Sequence, residues 1–196
     1  MSTINEKSLR KYSSDLYSLQ NHLLKAVKKQ QASDKVKQKE AIEILHMMNL
    51  RISDQIKDFD PLLEKLGGDI SDEIKSKIAT FTGTISGLIE SARRDPVSKM
   101  LRDDYIALSM LAVGYKMLYT TSLVAHRDDV AEMCMNHLTS VTRMITEISK
   151  AIPMVVPKEM MDDQELASEI GMKAVEKTQK AWSSETIEAG PEVVEV

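Results

Sequence analysis

The chain has 196 residues, with 26 basic against 30 acidic side chains and no long basic block, so it offers no electrostatic footprint for nucleic acid or for an anionic membrane surface. A single cysteine, Cys134, excludes an intramolecular disulfide framework. The polar start from Met1 to Lys11 lacks the charged-then-apolar layout of a secretory signal, and a cytoplasmic location is expected.

Leu9, Tyr12, Leu16, Leu19, Leu23 and Val27 step by three and four residues, which places them on one side of a helix from about Asn5 to Gln31. Ser33 and Asp34 supply capping oxygens for a second helix, whose stripe reads Ala41, Leu45, Met48, Ile52, Ile56, Phe59, Leu63 and Leu66. Pro61 is expected to bend that helix or restart its last turns, and Gly67 with Gly68 ends it. Asp69 or Ser71 opens a shorter helix through Ile74, Ile78, Phe81, Ile85, Leu88 and Ala92, in which Gly83 and Gly87 make stability depend on packing.

Asp95 and Pro96 begin the next helix, apolar nearly all round from Leu101 to Val124, which suits the centre of a bundle with several neighbours. Tyr105 to Ala125 is long enough to consider as a membrane span. Lys116 in its middle, with Ser109, Thr120, Thr121 and Ser122, argues instead for a helix buried in a soluble bundle, with no membrane partner. After the turn at Arg127, Asp128 and Asp129, a further helix carries Val130, Cys134, His137, Val141, Met144, Ile148 and Ile152, and Pro153 with Pro157 is expected to end it. The expected organisation is an all-α bundle domain over residues 1–157, a weak amphipathic helix over 158–182 on Leu166, Ile170 and Val175, and a disordered acidic tail over 183–196.

A helical bundle builds a di-metal site from a lone Glu on each of two helices and Glu-x-x-His on the other two, because the i, i+3 spacing turns both ligands to one interior point. Glu43 and His46 match that spacing, although Glu43 lies off the Leu45, Met48, Ile52 stripe. A metal reading would combine Glu43, His46 and His137 with acids such as Glu132 or Asp104 around iron or manganese. The structural reading makes His46 and His137 hydrogen-bonded core histidines, Lys116 a side chain reaching solvent along its stem, and Cys134 a small core hydrophobe. The string Asn21-His22-Leu23-Leu24-Lys25 also permits a phosphate-accepting histidine on a bundle, although Ala26 and Val27 replace the small residues that give access.

The segment from Asp15 to Lys29, with Asp15, Tyr17, Leu23 and Ala26 at matching positions, resembles the first helix of the YciE/YciF-type ferritin-like stress proteins. The likeness extends through Leu66-Gly67, Asp95-Pro96 and Tyr115, over about Ser8 to Ile152. The resemblance implies a ferritin-like four-helix bundle with an extra crossover helix, and in the family's usual members a di-iron-type site. Carried over by position, the first-helix Glu becomes Gln20. The second-helix pair falls on His46 and Asn49, which a shift of register would move; the acids beside the family's tyrosine fall near Val113 and Lys116, and the last acidic cluster becomes Asn136, Thr139 and Ser140. Neutral amides and a lysine remove the charge that would hold two divalent ions. The expectation is therefore a non-catalytic, cytoplasmic, stress-associated bundle that holds no cofactor, has lost its di-metal site, and acts through protein interaction or as a homodimer. Its rivals are a divergent di-metal oxidase or detoxification protein using iron or manganese, and a signalling or adaptor module working through His22 or the acidic tail.

Overall fold

The structure, a computed structural model, describes residues 3–65 and 96–182. The expected short helix through Ile74 and Leu88, and the tail over 183–196, lie outside them. The described elements are α1 (Thr3–Gln31), α2 (Lys39–Lys65), α3 (Val97–Val124), α4 (Asp128–Met160) and α5 (Gln164–Lys180). The chain is an all-α bundle: α1 packs on α2 and α3, α4 closes the square against the same two helices, and α5 lies on α4.

Helix direction follows from facing residues. Gln20 faces both Gln55 and Tyr115, Gln31 faces Asn49, Gln30 faces Asp104, Arg51 reaches Ser140 and Glu40 meets Lys158. α1 is therefore antiparallel to α2 and to α3, and α2 is antiparallel to α4. α2 ends where α1 begins, whereas α3 starts at the opposite end of the bundle. The stripes read from the sequence meet inside this square: Leu16, Leu23, Val27, Leu45, Ile52, Phe59, Leu108, Leu111, Cys134, Val141 and Ile148 are all buried. Each large aliphatic or aromatic side chain so buried contributes about 1.5–3 kcal/mol of transfer free energy.

Several local expectations give way to tertiary contacts. Ser33 and Asp34 do not cap α2, which starts at Lys39; Ser33 forms a turn, its carbonyl accepting from the Val36 amide at 3.2 Å. α2 continues through Pro61, and α4 continues through Pro153 and Pro157 to Met160. An interior proline costs roughly 3 kcal/mol in an isolated helix. Here the last turns of α4 are held by burial of Val155 and Pro157 and by Lys158, whose ammonium lies 2.7 Å from Glu40. They are held also by Glu159, whose carboxylate accepts the Val97 and Ser98 amides at the start of α3. That carboxylate meets the positive end of the α3 dipole, the role Pro96 at the cap has no side chain to perform.

Because Pro157 has no amide hydrogen, the Pro153 carbonyl loses its helical donor, and α5 packs there through Gly171. A methyl at Gly171 would sit 3.0 Å from Met154 Cα and 3.2 Å from the Pro153 oxygen, so only glycine allows this approach. The turn from α3 to α4 places His126 at φ 53°, with the Arg127 amide donating to the Ser122 carbonyl at 2.9 Å and the His126 amide to that of Leu123 at 3.2 Å. This is the left-handed helix end usually given to glycine.

α3 does not occupy the centre of the bundle. Among the described residues it stands at one corner with α1 and α4 as neighbours, and Ile106, Val113 and Met117 on the side opposite the core are exposed at 52%, 56% and 44%. A bundle of four helices has no central position, and the uniform apolarity of α3 serves one inner and one outer face.

Candidate functional site

At mid-height, each of the four bundle helices contributes one buried polar side chain: Gln20 from α1, Gln55 from α2, Tyr115 from α3 and His137 from α4. Gly114 lies beside this level, where a Cβ would stand 2.6 Å from Leu16 Cδ2 and oblige the Leu16 side chain to shift. Gln20 Nε2 donates to Gln55 Oε1 at 2.9 Å and to the Tyr115 hydroxyl oxygen at 2.7 Å. Gln55 Nε2 donates to the His137 carbonyl at 3.3 Å. The Tyr115 oxygen and His137 Nδ1 are 3.1 Å apart, and His137 Nε2 is 3.0 Å from Asp58 Oδ2 at the bundle surface.

These contacts have one consistent direction. A carboxylate accepts only, so His137 carries its hydrogen on Nε2 toward Asp58, and its bare Nδ1 accepts from the Tyr115 hydroxyl. Phe59 shields the group, its ring centroid 6.2 Å from that of Tyr115 and 5.8 Å from that of His137. Burial pushes the Tyr115 phenol well above its usual range and lowers the His137 imidazole, an effect the Asp58 carboxylate opposes. Cys134 is buried on the inner face of α4, where desolvation lifts its thiol to about 12. It is an inert core side chain.

A second buried pair joins the end of α1 to the start of α3. Gln30 Nε2 donates to Asp104 Oδ1 at 3.1 Å, and burial lifts the fully enclosed Asp104 carboxyl to about 8. At neutral pH this acid holds its proton. Asp104 Oδ2 and Gln30 Oε1 are buried with no hydrogen-bond partner among the described residues.

The residues singled out from the sequence separate sharply on this frame. Gln20 sits in the polar layer. His46 is exposed and Asn49 half-buried, its amide donating to Gln31 at 2.6 Å, and His46 lies about 13 Å along α2 from the layer at 1.5 Å per residue. The α2 residue opposite Gln20 is Gln55, with Asp58 three positions on. Lys116 and Asn136 point to solvent, displaced by their neighbours Tyr115 and His137, because adjacent residues on a helix project about 100° apart. Of the alternative metal set, Glu43 is exposed near Lys39 at 3.7 Å, His46 and Glu132 are exposed, and only His137 is buried. Asp104 is committed to Gln30, and His22 is only 8% exposed. Sequence reasoning passed over Gln30, Gln55 and Asp58. Gln55 falls three residues after Ile52 and four before Phe59, and Gln30 three after Val27, so each is a polar member of an apolar stripe, the signal that could have found it.

The donor set does not suit a pair of divalent ions. Both amide hydrogens of Gln20 are engaged, the tyrosine is protonated, and Asp58 at the rim is the one carboxylate that touches the layer among the described residues, where charge neutralisation would call for several. Among the described residues, no three or more His, Cys, Asp and Glu side chains converge on one point. No described helix is long and apolar enough to cross a membrane. Compared with protein-family models, with curated proteins and with solved structures, the chain matches none.

Proposed function

We propose that this chain is a ferritin-like helical bundle that has lost its di-metal site and works by protein interaction, with a second copy of itself as the first partner. The reading is carried by the layer at mid-bundle, where four neutral side chains from four helices hydrogen-bond to one another and only Gln20 Oε1 is left without a partner among the described residues. The antiparallel order of α1 with α2 and α3, which makes the chain re-enter the bundle at its far end, supports the ferritin-like part. The outer face of α3 supports the interaction part. Ile106, Met110, Val113 and Met117 repeat at four, three and four residues, the spacing of a seam between helices. They border a groove of about 610 Å³ against Leu16 and Leu19 of α1.

Iron, manganese and zinc measured in protein purified without chelators test the first part: no stoichiometric metal is expected, and about two tightly held ions per chain, as in di-metal bundles, would overturn it. Mass by light scattering tests the second. The wild type is expected as a dimer, and the double variant Val113→Lys, Met117→Lys as a monomer with unchanged helicity. A wild type that stays monomeric at high concentration sinks the self-association.

A further inference from the structure

The polar layer does more than fill space. The direction of its hydrogen bonds makes a path for one proton, from the Tyr115 hydroxyl to the bare Nδ1 of His137 at 3.1 Å, while Nε2 remains bonded at 3.0 Å to Asp58, a carboxylate in contact with water. A phenol gives up an electron far more readily when its proton can leave at the same time, because the oxidised phenol is a strong acid that must shed it. Burial keeps His137 neutral and therefore able to accept. The imidazolium so formed would lie between the Tyr115 oxygen and the Asp58 carboxylate, which offsets its charge.

The electron has a matching route. Tyr17, half-buried on α1, stands edge-on to Phe59 at 6.3 Å between ring centroids, and Phe59 lies 6.2 Å from Tyr115. This aromatic line connects the surface to the phenol. Gln20 Nε2, 2.7 Å from the phenol oxygen, supplies a hydrogen bond that remains when the hydroxyl proton has gone.

We propose that Tyr115 is a redox-active tyrosine, oxidised reversibly by one electron with transfer of its proton to His137, so that the bundle core serves as a one-electron sink. In the forward step a one-electron oxidant of high potential, of the peroxyl or metal-polypyridyl class, removes one electron from Tyr115. The O–H bond breaks, and the proton forms a new bond to His137 Nδ1. The products are the neutral tyrosyl radical, the imidazolium and the reduced oxidant. In the return step a thiol or another one-electron donor restores the electron, and the proton goes back from Nδ1 to the phenol oxygen. Tyr115 is the reacting residue, while His137, Asp58 and Gln20 position it and its proton.

The test oxidises the full chain with photogenerated tris(bipyridine)ruthenium(III) and follows radicals by freeze-quench electron paramagnetic resonance. Wild-type protein is expected to give a long-lived tyrosyl signal that is narrowed by ring-deuterated tyrosine and lost in Tyr115→Phe. Tyr17→Phe is expected to slow its appearance and leave its line shape unchanged. His137→Gln, which keeps a polar group but removes the proton acceptor, is expected to abolish the long-lived signal. If Tyr115→Phe does not fold, high-field spectra of the wild type alone decide. A shifted g component with coupling to an exchangeable proton and to nitrogen-15 in labelled histidine marks a radical bonded to the imidazolium, whereas a signal that is short-lived or lacks the histidine coupling overturns the proposal. The same long-lived signal persisting in folded Tyr115→Phe also overturns it.

Discussion

The Tyr115 hydroxyl lies 3.1 Å from His137 Nδ1, and that contact joins the inner faces of α3 and α4 at the level where Gln20 enters from α1. Removing the hydroxyl leaves the imidazole nitrogen and one Gln20 amide hydrogen without partners in the core. An unsatisfied buried polar group costs about 1–3 kcal/mol, so Tyr115→Phe should lower unfolding free energy by about that amount. Urea denaturation with an unchanged slope would check it, and a variant as stable as wild type would mean that these atoms find other partners.

His137 gives the protein a dependence on acid pH. Burial places its folded-state pKa below the ordinary value of 6.5, so the unfolded chain binds more protons as pH falls. The stability it supports is complete above pH 6.5 and is lost as pH drops through the folded-state value. Thermal melts from pH 7.5 to 5 should show the wild-type midpoint falling relative to that of His137→Gln, a comparison in which the opposite contribution of Asp104 cancels. An equal slope in both proteins would assign the loss to other groups.

Asp104 acts in the opposite direction. Its carboxyl is lifted from 3.8 to about 8, so the stability contributed by its neutral form is whole below pH 3.8 and disappears as pH rises through about 8. Asp104→Asn keeps the shape and cannot ionise. It should raise unfolding free energy by about 4 kcal/mol at pH 7, roughly three units above 3.8 at about 1.4 kcal/mol per unit, and by more at pH 9. Denaturation curves of the two proteins at pH 5, 7 and 9 would reveal a gap that widens with pH, and a constant gap counts against the neutral acid.

Two backbone positions make a contrasting pair. His126→Gly should stabilise by about 0.5–1 kcal/mol, since φ 53° strains a residue with a Cβ and suits glycine. Gly171→Ala should loosen α5, because the new methyl meets not only the Met154 sulfur but also the α4 backbone at Met154 Cα and the Pro153 oxygen, which cannot swing aside. Limited proteolysis would read the second as faster cleavage within residues 164–180, and unchanged protection would show that α5 can shift without loss.

Much of the helix pattern was legible, and the site was only half so. Ile52, Phe59, Val141 and Ile148 could be assigned to the core because a 3.6-residue period puts them on one face whatever they pack against. Gln20 could be singled out for the same reason, as a polar residue in an apolar stripe. His46 and Asn49 were expected at the ligand level, but periodicity along α2 does not say which turn meets Gln20, and the answer, Gln55, lies about two turns further on. Lys116 and Asn136 differ from the residues in the layer by one position, which on a helix is the difference between core and solvent.

The prolines divide in the same way. By local rules Pro153 and Pro157 end a helix, yet α4 continues because Lys158 reaches Glu40 and Glu159 caps α3, partners distant in sequence.

What the sequence alone determined is therefore the class of structure: helices, their inner faces, and a core low in charge, all consequences of side-chain spacing along one chain. The tertiary structure decided which polar residues share a level, that Asp104 is sealed against Gln30, and that, among the described residues, one face of α3 is left exposed. Register between helices depends on close approach at points such as Gly114 against Leu16, a contact between residues almost a hundred positions apart that no local pattern contains.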